Sequence, residues 1–165
     1  MLLSLEAQIG ELLLHQELKL ALAESCTGGL VGSRITDVPG SSEYFLGGVI
    51  AYSYAAKVDL LRVSWETLNS TGAVSRETVI EMARGAVKLM NADIAISISG
   101  IAGPGGGTVE KPVGTTWIGL ATQDDEKAKL FQFSGDRVQN KSYAAEAALQ
   151  MLLEYLQGCG EEPPM

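Results

Sequence analysis

At 165 residues, with 46% hydrophobic and 19% charged side chains, the chain has material for one domain around a real core and is not a disordered polypeptide. A net charge of -8, with lysines and arginines scattered rather than clustered, excludes non-specific binding along a nucleic-acid backbone. An anionic substrate would therefore need a local pocket rather than the overall field. Cys26 and Cys159 are too far apart in sequence to read as a disulfide framework, so a reducing cytoplasm is expected. No basic segment precedes the first apolar residues and no apolar run reaches the length of a membrane span, so neither a signal peptide nor a membrane partner is expected.

In chain order, Leu5, Ile9, Leu12 and Leu13 share one face at helical spacing and predict an opening amphipathic helix. His15, the only histidine, falls at its end and reads as a surface residue, so no metal site is expected. Lys19 to Ala23 predicts a short strand. Thr27 to Thr36 predicts a helix on Leu30, Val31, Arg34 and Ile35, ended by Pro39-Gly40. Phe45 to Tyr52 reads as a second strand, followed by short helices at Ala55 to Leu61 and Ser64 to Asn69. Ser75 is an N-cap candidate before a long helix whose stripe is Val79, Met82, Ala83, Ala86, Val87 and Met90. Asp93 to Ser99 predicts a strand in which Ile94, Ile96 and Ile98 alternate with small residues.

A glycine-rich loop spans Gly100 to Thr108. Strands at Gly114 to Thr122 and Lys129 to Ser134 follow, joined through Gln123-Asp124-Asp125-Glu126 in a hairpin. A last helix is expected from Val138 to Leu156, stopped by Gly158, with a frayed tail over 158–165. Alternating helices and strands followed by a hairpin and a helix predict a three-layer α/β/α sandwich with a mixed sheet of about five strands. Residues 1–165 read as a single domain.

Two places carry candidate chemistry. Ser25 lies between a strand and a helix whose first turn is Thr27-Gly28-Gly29, where backbone N–H groups lack intrahelical partners. Such a serine is a candidate nucleophile with oxyanion donors near Cys26–Gly29; equally, Ser25 or Thr27 caps the helix. A serine nucleophile needs a base. Lys57, in Tyr52-Ser53-Tyr54-Ala55-Ala56-Lys57, is a candidate if burial keeps its amine neutral; otherwise it is a surface lysine with a buried stem. Tyr52 either hydrogen-bonds Lys57 or the serine hydroxyl, or is an aromatic ending a strand. Cys26 has no histidine partner and reads as a small residue packed under the turn. The loop Gly100 to Thr108 lacks a dinucleotide fingerprint, because Thr108 stands where the third glycine belongs. It is a long turn or a backbone wall for a phosphate or ribose.

Six motifs occur in order: Ala-Glu-Ser-Cys-Thr-Gly-Gly at 23–29, Pro-Gly-Ser-Ser at 39–42, Tyr-Ser-x-x-x-Lys at 52–57, Gly-Ala-Val-Ser at 72–75, Ser-Ile-Ser-Gly-Ile-Ala-Gly-Pro-Gly-Gly at 97–106 and Lys-Pro-Val-Gly-Thr at 111–115. With them the chain resembles the C-terminal domain of competence/damage-inducible protein CinA and its stand-alone relatives, the nicotinamide-nucleotide amidases. The resemblance implies cofactor-free hydrolysis of nicotinamide mononucleotide to nicotinate mononucleotide and ammonia, in pyridine nucleotide recycling. It implies Ser25 as nucleophile, Lys57 as general base and Tyr52 as an assisting residue. Cys26, Thr27, Gly28, Gly29, Ser42, Gly100, Gly103, Gly105, Thr108 and Lys111 are the expected substrate-binding residues. The implied partners are the small nucleotide substrate and further copies of the chain, a dimer first. One position departs: the family has Asn after Tyr-Ser, and here the residue is Tyr54. That leaves open a nucleotide-binding relative without turnover, or an amidase for another small amide.

Overall fold

The computed structural model describes residues 2–159. Its elements are α1 Leu5–His15, β1 Leu20–Glu24, α2 Leu30–Thr36, a 3-10 turn Ser41–Glu43, β2 Phe45–Ile50, α3 Tyr54–Leu61, α4 Trp65–Thr71, α5 Arg76–Met90, β3 Ile94–Gly100, β4 Thr115–Thr122, β5 Glu126–Gln132 and α6 Arg137–Cys159. The five strands form one sheet in the order β2-β1-β3-β4-β5. β2, β1 and β3 run parallel, and β4 and β5 add an antiparallel hairpin on the β3 side. The fold is the expected three-layer α/β/α sandwich.

Period-two alternation explains the layers. One face of the sheet carries Leu20 and Leu22 of β1 with Ile94, Ile96 and Ile98 of β3, and packs on Ile9 and Leu13 of α1, Val31 and Ile35 of α2 and Leu149 and Leu152 of α6. The other face carries Ala21, Ala23, Ala95 and Ala121 and meets Met82, Ala83 and Ala86 of α5 and Leu61 and Leu68 of α3 and α4. Small residues on this second face let α5 lie close. A Cβ on Gly119 would come within 2.6 Å of the Val79 carbonyl oxygen, which also accepts a bond from Ser97 Oγ at 2.5 Å.

Ser75 caps α5 as the sequence predicts, accepting from Thr78 N–H at 3.2 Å. Three boundaries differ from expectation by three residues, more than the others. α2 begins at Leu30 rather than Thr27, because Gly28 and Gly29 take positive φ angles of 61° and 101° that no helix contains. β5 begins at Glu126, since Thr122 Oγ1 accepts from the N–H groups of Asp124 and Asp125 and closes the turn early. α6 runs through Gly158 to Cys159, with Leu156 still buried; one glycine near a helix end costs only about 1 kcal/mol against alanine. The tail expected at 158–165 lies, from 160 onward, outside the described residues. Among the described residues no helix is long and apolar enough to cross a membrane.

Candidate active site

Ser25 follows the last residue of β1. Its N–H donates to Ile98 O of β3 at 3.0 Å, and Glu24 O accepts from Ala51 N–H at 2.9 Å just past β2. The residue is thus fixed between the carboxyl ends of the three parallel strands, where open α/β sheets place their ligands. Ser25 is 7% exposed.

Lys57 reaches this point from α3. Ser53 caps that helix by accepting from Ala56 N–H, which sets Lys57 one turn in, facing the sheet. Lys57 is 1% exposed, and its Nζ stands 2.9 Å from Ser25 Oγ and 2.8 Å from Ala51 O. Among the described residues no carboxylate pairs with this amine. Burial without a counter-ion disfavours the ammonium and holds the pKa of Lys57 below its ordinary value. A neutral amine that donates one N–H to Ala51 O has its lone pair available to the Ser25 hydroxyl. The surface-lysine reading is excluded.

The turn after Ser25 differs from the expectation of a helix start open to ligand. Glu24, 3% exposed, turns its carboxylate into the N-terminus of α2. It accepts from Thr27 Oγ1 at 2.6 Å, Gly29 N–H at 3.2 Å, Val31 N–H at 3.0 Å and Gly32 N–H at 3.0 Å. Gly28 N–H is also taken, by Ser25 O at 3.0 Å. Of the four candidate donors at Cys26–Gly29, only the N–H groups of Cys26 and Thr27 bond to no other described residue, and that of Cys26 lies against its own thiol. The cap of α2 is therefore Glu24 rather than Ser25 or Thr27. Cys26 packs under the turn as expected, and burial, with the nearby Glu24 charge adding to it, pushes its thiol up to about 11.

Tyr52 does not touch the pair. It is 63% exposed, and its hydroxyl accepts from Arg137 Nη2 at 3.0 Å. The expected bond to Lys57 or Ser25 is absent because β2 ends at Ile50 and the chain has turned outward by Tyr52. Ser42 is also elsewhere. It lies in the 3-10 turn before β2, beside Lys19, Glu43 and Tyr44, at the amino end of β1 and so at the far end of the sheet from Ser25. Tyr54 packs its ring on Trp65, 6.4 Å between centroids, at the surface.

Gly100 ends β3 beside the Cys26 thiol. The loop beyond it is tied down from two directions. Arg137 Nη1 donates to Gly103 O at 2.6 Å and Asn140 Nδ2 to Ala102 O at 3.0 Å, both from the first turn of α6. An Asp136–Gln139 capping box sets that turn: Asp136 Oδ1 accepts from Gln139 N–H and Gln139 Oε1 from Asp136 N–H. Lys111 Nζ donates to Thr71 O at 2.7 Å, and Thr108 Oγ1 accepts from Lys111 N–H at 2.9 Å. Thr108 and Lys111 therefore brace the loop, while Gly105 is exposed at its tip. Lys141, one turn along α6, brings its Nζ to 3.8 Å from where a Cβ on Gly28 would lie. Arg137 and Lys141 thus put two cations beside the Ser25 turn and the loop.

Glu24, Arg137, Asn140 and Lys141 were not legible as site residues. The nearest signals were the acidic residue ending a buried strand and the Asp-x-x-Gln cap. A groove of about 690 Å³, lined by residues including Leu61, Arg62, Glu81 and Thr122, lies at the opposite end of β4 and contains none of these residues.

Fold and site together define a three-layer α/β/α domain with a buried serine–lysine pair at the carboxyl ends of its parallel strands. The profile of the CinA C-terminal domain matches residues 2–156. Two curated relatives, both CinA-like proteins, are 52% identical over 155 residues in Chlorobaculum tepidum and 50% identical over 159 residues in Chlorobium limicola. These alignments cover 91% and 93% of this chain but 37% of each relative, so the chain spans little more than a third of their length. A CinA superfamily structure from Klebsiella pneumoniae superposes with a TM-score of 0.90 at 34% identity, covering 93% of this chain and 96% of that one. The competence/damage-inducible protein CihA of Agrobacterium tumefaciens gives a TM-score of 0.86 at 34% identity over 95% and 99% of the two chains. The chain belongs to the CinA C-terminal domain family.

Proposed function

We propose that this chain is a nicotinamide-nucleotide amidase that releases ammonia from nicotinamide mononucleotide by a serine–lysine mechanism. The observation that carries the reading is the contact of Ser25 Oγ with the buried, carboxylate-free amine of Lys57 at 2.9 Å. Lys57 accepts the hydroxyl proton as Ser25 Oγ attacks the carboxamide carbon. The N–H groups of Cys26 and Thr27 stabilise the oxyanion of the tetrahedral intermediate. Collapse breaks the carbon–nitrogen bond, the leaving amine takes the proton from Lys57, and ammonia departs. Water, deprotonated by the same amine, then hydrolyses the acyl-enzyme and frees Ser25 with the nicotinate product.

The phosphoribosyl part belongs on the Arg137 and Lys141 side of the site, since the buried Glu24 carboxylate repels an anion from the α2 terminus. Gly100, Gly103 and Gly105 supply backbone on that side. Tyr54 supports the rival reading of a nucleotide-binding relative without turnover only weakly, because its ring packs on Trp65 and leaves the Ser25–Lys57 pair intact. The test is ammonia release from nicotinamide mononucleotide, with Ser25→Ala as control. Release by the wild type alone supports the amidase; tight binding without release by either protein favours the non-catalytic relative. A panel of other small amides would separate the second alternative.

A further inference from the structure

Glu24 is the buried ionisable group that the proposed mechanism leaves unused. Its two oxygens accept four bonds, from Thr27 Oγ1 and the N–H groups of Gly29, Val31 and Gly32, and no Lys or Arg pairs with it among the described residues. A carboxylate has about four acceptor sites, so the side chain is saturated. α2 is only seven residues long, and Glu24 occupies the end of it that faces the turn. The same residue anchors its own backbone between strands, through Glu24 O to Ala51 N–H at 2.9 Å. One residue therefore ties the strand that carries Ser25 to the helix that follows it.

We propose that Glu24 is the positioning residue of the site, which by saturating the α2 terminus bends the turn so that the N–H groups of Cys26 and Thr27 alone face the oxyanion of the Ser25 reaction. The role rests on the reading of Ser25 as the nucleophile. Two consequences follow from it. The three helix-terminal N–H groups that would otherwise attract a phosphate are occupied from inside the protein, so the anionic end of the substrate is directed to Arg137 and Lys141. The Glu24 charge also adds to burial in keeping Cys26 a thiol, so no thiolate competes with Ser25 in the next position.

The experiment is the rate of labelling of Ser25 by a small fluorophosphonate, followed by intact mass on the full chain. In that reaction Ser25 Oγ bonds to phosphorus, the P–F bond breaks, fluoride leaves, and the hydroxyl proton passes to Lys57. Glu24→Gln keeps the shape but turns half of the acceptor into an NH₂ group facing N–H donors. The expected result is a labelling rate constant about 100-fold below wild type in folded protein, the size seen when an oxyanion donor is lost. Glu24→Asp, which keeps the charge with a shorter reach, should recover part of it. A purely structural Glu24 would lower the fraction of protein that labels and leave the rate constant of the folded fraction unchanged; that result overturns the proposal.

Should Glu24→Gln fail to fold by circular dichroism, Thr27→Val removes one of the four bonds and should label about fivefold more slowly. A wild-type rate constant there overturns the proposal equally. Ammonia release is measured separately. Labelling that depends on Glu24 without hydrolysis of the mononucleotide would remove the substrate assignment and keep the positioning role. Absence of any label on wild-type Ser25 would remove both.

Discussion

The Ser25 turn at 24–29 and the glycine loop at 100–114 face each other across the candidate site, yet they are held in different ways. The turn is supported from within: strand ends grip Ser25 on both sides, and one carboxylate gathers the donors of the turn and of α2. The loop is largely exposed and is held from outside, by Arg137 and Asn140 of α6 and by Lys111 reaching Thr71. Internal bonding between neighbouring residues fixes atoms closely, which suits bond-making groups. Tethers from separate elements let a surface be shaped for a ligand without disturbing the reacting pair. Changes in the turn should therefore act on kcat, and changes in the loop tethers on KM.

The largest effect tests the turn itself. Ser25→Ala should lower ammonia release by at least about ten-thousand-fold, and an active variant would overturn the nucleophile assignment. Lys57→Met should lower kcat by about a thousandfold while circular dichroism stays that of the wild type. A loss below tenfold would point to another base. Because burial lowers the pKa of Lys57 and the neutral amine is the base, kcat/KM should rise with pH through that lowered value and then level off. The stability linkage has the same sign. Between the lowered value and the ordinary lysine value of 10.5 the folded chain holds fewer protons at this residue than the unfolded chain. Stability contributed by this group should therefore rise with pH across that window, as denaturant midpoints of wild type and Lys57→Met would reveal.

Smaller effects test the loop. Arg137→Ala removes the tether on Gly103 and a cation beside the site, and should raise KM about tenfold with kcat within about threefold. A change confined to kcat would erase the contrast between the two regions. Tyr52→Phe loses only a bond to Arg137 at an exposed position and should change kcat/KM by less than about threefold. A loss of two orders of magnitude would mean that Tyr52 turns inward when substrate binds. Ser42→Ala, at the far end of the sheet, should leave steady-state rates at the wild-type value.

Local pattern carried the architecture and brought Ser25 and Lys57 forward as candidates. Alternation of Ile94, Ile96 and Ile98 with small residues marked the central strand. The strand–turn–glycine context of Ser25 and the apolar neighbours of Lys57 offered a candidate nucleophile and a candidate base, and the collinear family motifs joined the two. What the sequence left open depended on direction and distance. The cap reading of the Thr27-Gly28-Gly29 turn gave way to Glu24, and the open-donor reading kept only the N–H groups of Cys26 and Thr27, because the carboxylate meets the helix end only once β1 and α2 are packed at that angle. Tyr52 shares a motif with Lys57 but points outward, since the strand had already ended at Ile50. Ser42 was grouped with the site by its motif, and topology put it at the amino end of β1. Arg137, Asn140 and Lys141 lie more than twenty residues beyond the loop they support or face, and only the return of α6 across the sheet brings them there. The sequence by itself determined the layers and singled out Ser25 and Lys57 as candidates. Tertiary structure decided that Lys57 is buried, which N–H groups of the Ser25 turn remain unpaired and where cations stand, because a side chain's partners are set by packing between elements distant in the chain.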